Sequence, residues 1–145
     1  MAINAPVLIL VGVLVPSPMV GIPLIAGVII GAILMAIFFK TLIVTHRYEE
    51  IVSKPEEVNK LITSGIYSRV RHPFYLGAIL MNLAFFFFFR NLWIIAPIAF
   101  FTLWWYWEAK QEERILLGKF GSEYEEYKKR AGMFWPKLRK GSIRH

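Results

Sequence analysis

Long uninterrupted apolar runs dominate the first hundred residues of the chain, and the polar residues gather in blocks between and after them. Four apolar segments can be drawn. Ile3 to Val15 has thirteen residues, short of the ~20 that a helix needs to cross a bilayer, and Pro16 and Pro18 follow it directly. Val20 to Thr45 is uncharged apart from Lys40, which lies near its end, where a lysine can reach the interface; this segment is long enough to span. Pro73 to Phe89 and Leu92 to Trp107 are parted only by Arg90-Asn91, which leaves room for a tight turn, so together they predict a helical hairpin. The polar blocks carry helix-start signals of their own. Ser53-Lys54-Pro55-Glu56 opens a short amphipathic helix with Val58, Leu61 and Ile62 on one face, expected to stop at Ser64-Gly65. Ser122 and Glu125 repeat the capping spacing ahead of Tyr127.

Composition agrees with this pattern. A chain of 145 residues with 57% hydrophobic content, 16% aromatics and a mean hydropathy of +0.50 is an all-α integral membrane protein rather than a water-soluble domain. We expect about four transmembrane helices, the first short, in one domain: N-terminal membrane helices over 3–45, a cytosolic connector over 46–72, the hairpin over 73–107, and a cytosolic helical tail over 108–145 that completes a ligand pocket. The first apolar run has no positively charged leader and apolar sequence continues beyond its prolines, so it is expected to be retained as membrane sequence. There is no cysteine, which excludes disulfides, thiolate metal sites and a cysteine nucleophile. We expect no metal.

Charge supplies the topology. Of seventeen lysines and arginines, six lie between Lys40 and Arg71, ten lie after Trp107, and Arg90 is the remaining one. Both polar blocks therefore share one side, which the positive-inside tendency makes cytoplasmic, giving a multi-pass protein with a cytoplasmic active site. The formal charge of +7 is concentrated at a membrane-facing surface, where anionic headgroups account for it better than nucleic acid does.

The hairpin brings distant charges together. A helix rising from Pro73 to Arg90 and another descending from Leu92 return the chain, at ~1.5 Å per residue, to the level of His72 near Glu108. Glu108 and Glu112 are four apart and share a helical face, with Glu113 beside it. Pro73 suits the first helical position, and the unpaired amides behind it make an electropositive cup beside Arg71 and His72. Gly77, one turn on, permits close approach of backbone or ligand. Glu108 follows Trp104-Trp105-Tyr106-Trp107 at the interface and needs a partner there. That partner is either Arg71 or Lys110 in a structural ion pair, or a polar ligand. The aromatic cluster reads first as an interfacial belt, with ligand stacking as the alternative.

At these residues the chain resembles a known family. Gly65-x-Tyr67-x-x-Val70-Arg71-His72-Pro73-x-Tyr75-x-Gly77, followed by Glu112-Glu113-x-x-Leu116 and Phe120-Gly121-x-Glu123-Tyr124-x-x-Tyr127, is similar to the C-terminal signature of the isoprenylcysteine carboxyl methyltransferases and related phospholipid methyltransferases. The resemblance covers roughly residues 65 to 136. It implies an integral membrane methyltransferase using S-adenosylmethionine, with His72, Pro73, Tyr75, Leu76, Gly77, Glu112 and Glu113 lining the cofactor pocket and Tyr67 and Tyr124 as further candidates. Arg71 is then expected to orient an anionic acceptor, with Glu108 steering the arginine. The acceptor would be a membrane lipid or a prenylated molecule, and a groove between the second apolar segment and the hairpin could admit its tail. Most plainly the acceptor is a carboxylate of isoprenylcysteine type. Three alternatives stay open: a phospholipid amine, for which His72 or Glu108 would act as base; an NADPH-dependent membrane reductase; and a non-enzymatic membrane scaffold.

Overall fold

A computed structural model describes residues 3–16, 21–49 and 59–137, and these form five α-helices and two short 3-10 turns. In chain order the helices are α1 (Asn4–Leu14), α2 (Leu24–Glu49), α3 (Pro73–Phe89), α4 (Ile95–Phe120) and α5 (Ser122–Arg130). α3 is the centre of the arrangement, packed most extensively against α2 and then against α4 and α1, while α5 folds back on α4. Within α2, Leu24–His46 is long and apolar enough to cross a membrane; α1 and α3 are shorter apolar helices. Ile25, Phe100 and Leu103 are each more than half exposed. Such apolar surface on these helices suits a lipid environment better than water.

Small residues set the α2–α3 contact. A Cβ added at Gly77 would lie 2.2 Å from Thr41 Oγ1, one at Gly27 would lie 2.7 Å from the Phe87 carbonyl oxygen, and one at Gly31 would lie 2.6 Å from the Phe88 ring. Absent side chains thus let two helices approach where lipid gives little hydrophobic drive for association. Gly77 turns toward α2, and the neighbours it approaches there are Thr41 and Phe38.

Polar side chains tie the far end of the bundle. Asn91 accepts from Trp93 N at 2.9 Å to start the 3-10 turn Leu92–Ile94, and its amide donates to Val15 O at 2.8 Å and Val11 O at 3.3 Å, closing the end of α1. Arg90, in the left-handed conformation at φ 51°, donates to Ile22 O at 3.2 Å ahead of α2. Deeper in, Asn4 Nδ2 donates to Asn82 Oδ1 at 3.0 Å, a buried amide pair between α1 and α3.

The hairpin forms over Pro73–Phe89 as expected, but its second arm differs in two ways. The tip includes the turn Leu92–Ile94, and α4 runs unbroken past Trp107 to Phe120. Because the tip takes up about one helical turn of chain, Glu112 and Glu113, rather than Glu108, arrive opposite His72. Of the short helix expected after Pro55, residues 51–58 lie outside the described residues, and residues 59–64 are not helical; Gly65 has the expected positive φ of 60° but opens the turn Gly65–Ser68. Ser122 stands inside α5 rather than at its cap, which is Gly121.

Gly77→Ala tests the packing directly. Alanine ordinarily improves a helix interior by ~1 kcal/mol, whereas overpacking costs about 1–3 kcal/mol. We expect a lowered melting temperature in detergent, partly restored by adding Thr41→Ala, which removes the atom 2.2 Å away. A stabilised single variant would contradict the contact.

Candidate active site

Three segments converge at the mouth of α3. The connector supplies Arg71 and His72, α4 supplies Glu112 and Glu113, and the segment after α5 lies alongside the connector. Its attachment is made by the backbone: Arg71 N donates to Gly132 O at 2.8 Å, His72 N to Met133 O at 3.1 Å, and Gly132 N to Arg69 O at 3.0 Å, a short parallel pairing about Val70 and Gly132. Tyr127 adds its hydroxyl, which donates to Tyr67 O at 2.7 Å. Gly132 has no space for a side chain, since a Cβ would fall on the Trp135 carbonyl. Leu61, Tyr124, Tyr127 and Ala131 bury a small core under this junction.

Arg71 is the clamp. Its guanidinium holds Glu113 Oε1 through Nε at 2.8 Å and through a second nitrogen at 2.6 Å, while the remaining nitrogen donates to Ala131 O at 2.5 Å and Lys128 O at 3.4 Å. Both side chains are nearly inaccessible. Burial of Glu113 favours its neutral form, yet His72 and Arg71 hold its carboxyl down to about 2. Lys128 Nζ stands 3.8 Å from the other Glu113 oxygen.

His72 lies between the two carboxylates. Nδ1 is 3.3 Å from Glu112 Oε2, and Nε2 is 3.4 Å from Glu113 Oε1 but out of line for a hydrogen bond, which leaves a buried nitrogen without a partner. Burial opposes the imidazolium, and the carboxylates of Glu112 and Glu113 outweigh it, raising the pKa above the ordinary 6.5. Tyr75 stacks on His72 at 5.6 Å between ring centroids and donates its hydroxyl to Glu112 Oε1. Trp105 stacks on Tyr75 at 5.3 Å, and Phe134 sets its edge against both His72 and Tyr106.

The site that sequence comparison must explain is therefore a carboxylate pair met by an arginine and a histidine from the Arg-His-Pro turn. The sequence profile of the isoprenylcysteine carboxyl methyltransferase (ICMT) family matches residues 22–118, two-thirds of the chain and inclusive of that turn and both glutamates. The chain belongs to the ICMT family. It is 32% identical over 98 residues to the protein-S-isoprenylcysteine O-methyltransferase of Saccharomyces cerevisiae, an alignment covering 63% of this chain and 39% of that protein. Similarity to the proteins of the same name from Schizosaccharomyces pombe and Homo sapiens is 31% identity over 83 and 86 residues, each covering 55% of this chain and 34% and 28% of theirs respectively. The chain thus spans about two-fifths or less of the length of these relatives.

In this ICMT-family chain the structure joins most of the expected residues. Arg71, His72, Tyr75, Glu112 and Glu113 form one connected network, and buried Pro73 starts α3 beneath it. Gly77 belongs to the α2 contact instead, and Leu76 contributes the backbone bond Leu76 N to His72 O at 3.1 Å. Glu108 does not steer Arg71. The arginine is held by Glu113, and half-buried Glu108 makes no hydrogen bond or ion pair among the described residues. Sequence reasoning missed Lys128, Ala131 and Phe134. The last two act through a backbone carbonyl and a ring edge, for which residue type gives no signal.

The titrations have a consequence for stability. A raised His72 pKa means a stabilising contribution that is complete below about pH 6.5 and is lost as pH rises through the raised value. The Glu113 contribution is complete above about pH 4.5 and is lost toward pH 2. Melting temperature in detergent should therefore fall on the alkaline side of pH 6.5, and His72→Gln should flatten that fall. Identical alkaline profiles for the two proteins would rule His72 out as its source.

Proposed function

We propose that this chain is a multi-pass membrane enzyme that transfers a methyl group from S-adenosylmethionine to the carboxylate of an isoprenylcysteine-type, lipid-linked acceptor at the cytoplasmic face. The observation that carries the reading is a cluster of carboxylates. Three carboxylates, Glu108, Glu112 and Glu113, converge near α3, and the buried guanidinium is committed to Glu113. Among the described residues Glu108 makes no hydrogen bond or ion pair, and Glu112 meets His72 and the Tyr75 hydroxyl. Such a site favours a cation. A molecule bearing a sulfonium and an ammonium suits it, and its ribose hydroxyls could donate to the same carboxylates.

The fit extends to the other end of that molecule. Its carboxylate can be received by the first-turn amides of α3 and by His72, whose Nε2 is buried without a partner. His72, Pro73, Tyr75, Leu76, Glu112 and Glu113 are the proposed cofactor residues, with Phe134 and Trp105 excluding water on two sides. When bound, S-adenosylmethionine supplies an activated methyl group on a sulfur that leaves as a neutral thioether.

The chain's own task is then positional. An acceptor carboxylate is already ionised near neutral pH and needs no base, so in-line placement is the contribution that residues make. Arg71 is proposed as a positioning residue that fixes Glu113 and the tail together, and Glu108 as the group nearest the reacting end. The membrane setting is supported by the apolar length of Leu24–His46 in α2, by the shorter apolar helix α3, and by the clustering of the cations in two polar blocks of the sequence.

Calorimetry with S-adenosylhomocysteine tests the cofactor assignment. Wild-type protein should bind, and Glu112→Gln and His72→Ala should each weaken binding about tenfold, or ~1.4 kcal/mol. No heat of binding at millimolar ligand would contradict the reading.

A further inference from the structure

The segment after α5 carries an exposed aromatic side chain beside a group of cations. Trp135 is 66% exposed, more than any other tryptophan of the chain. Lys137 Nζ donates to Lys128 O at 2.6 Å and to Lys129 O at 3.4 Å, which seats it against the last turn of α5, next to the exposed residues Lys129 and Arg130. Glu126 pairs with Lys129 at 2.5 Å, so cations remain in excess here. The candidate active site uses none of Trp135, Lys129, Arg130 and Lys137.

Phe134 fixes the depth of this segment. Its ring sets an edge against Tyr106 at 6.5 Å between centroids, and Lys110 Nζ stands 5.7 Å from the centroid of the same Tyr106 ring. Tyr106 lies in the aromatic stretch where α4 passes from apolar to charged sequence, and Trp104, Tyr106 and Trp107 are exposed there. The tail therefore returns to the level of the interfacial belt, and Trp135 is its next residue. An indole at that level favours the headgroup region, which takes both its apolar ring and its polar N–H. Cations beside it attract anionic headgroups. A purely aqueous setting would suit the lysines and leave the indole in water, and an acidic protein segment would use the charge without accounting for the shared depth.

We infer that Trp135, Lys129, Arg130 and Lys137 form a docking surface for the anionic lipid headgroups of the membrane, and that docking holds the tail closed over the candidate active site. The linkage is short. Gly132 O accepts from Arg71 N at 2.8 Å, Met133 O accepts from His72 N at 3.1 Å, and the Phe134 ring meets His72 at 6.2 Å between centroids. One residue thus separates the last main-chain bond to the site from Trp135. Headgroups that hold Trp135 favour the closed tail over an open one, so a ligand that binds beneath the closed tail binds more tightly when anionic lipid is present. The docking rests on the surface; its effect on ligand affinity rests on the S-adenosylmethionine reading.

The experiment uses the full chain in nanodiscs of phosphatidylcholine alone or of phosphatidylcholine and phosphatidylglycerol in equal parts. Because the chain has no cysteine, Pro136→Cys gives a unique site for a spin label. Access of a neutral aqueous nickel chelate to that label should fall about threefold when phosphatidylglycerol is present. Lys129→Gln, Arg130→Gln and Lys137→Gln together should abolish the fall, the last keeping a donor for the Lys128 carbonyl. Equal access in both lipids would overturn the docking. S-adenosylhomocysteine should bind the wild-type chain about fivefold more tightly with phosphatidylglycerol. The triple variant should lose this gain yet bind as the wild type does in phosphatidylcholine alone, which reports an intact fold. Trp135→Ala should also reduce the gain, and a full gain in that variant would remove Trp135 from the surface. An affinity indifferent to lipid, with the label protected as expected, would refute the link to the site. Polyglutamate or glycerol phosphate added to phosphatidylcholine discs should reproduce neither effect; if either does, the surface serves an acidic protein segment or a soluble anion, and the membrane assignment falls. A protected label on a chain that binds no S-adenosylhomocysteine in either lipid would uphold the docking while removing the cofactor reading.

Discussion

The buried pair of Arg71 and Glu113 is the contact on which the rest of the site depends. One guanidinium joins the connector to α4 through the carboxylate and to the tail through the carbonyls of Ala131 and Lys128. A buried ion pair gives little net stability, but losing one partner costs about 3–5 kcal/mol because the other charge is stranded. The pair therefore specifies geometry. With Glu113 fixed, His72 is trapped between it and Glu112, and Tyr75 is aimed at Glu112. The tail closes over that arrangement because the same arginine, through its backbone, pairs with Gly132.

The helices deliver these groups by two different devices. On the α2 side, Gly27, Gly31 and Gly77 remove side chains so that α3 is held close and rigid. On the α1 side, contact is made by polar groups at separated points, Asn4 with Asn82 and Asn91 with the end of α1, and a cavity remains beside α4. One face of α3 is thus a packed support, and an apolar-lined cavity lies between α1 and α4. The ring of Trp105 lines that space and stacks on Tyr75, whose hydroxyl meets Glu112.

Much of this was legible in the sequence, and unevenly so. Pro73 and Arg90 bounded α3 correctly because a proline at the first helical position and a residue able to leave the helix are local signals. The meeting of Glu112 and Glu113 with His72 followed from hairpin length, but the counting was one turn short, since Leu92–Ile94 cross the tip before α4 descends. That error exchanged Glu108 for Glu113 as the partner of Arg71. Gly77 was recognised as a place of close approach, yet only the position of Thr41 shows which neighbour approaches. The backbone pairing of 69–72 with 132–133 left no trace, because main-chain hydrogen bonds over sixty residues of separation depend on tertiary placement and not on residue type. The family signature marked Tyr124 and Tyr127; the structure adds that they are the core on which the tail is seated.

The central claim is that S-adenosylmethionine binds between the mouth of α3, the glutamates of α4 and the tail. Direct ultraviolet cross-linking of methyl-labelled S-adenosylmethionine to the purified protein, followed by peptide mapping, tests it most directly. The account predicts label on peptides containing Arg71–Gly77 or Trp105–Glu113, competed away by S-adenosylhomocysteine. Label confined to α1 or α2, or label that excess S-adenosylhomocysteine does not displace, would contradict it.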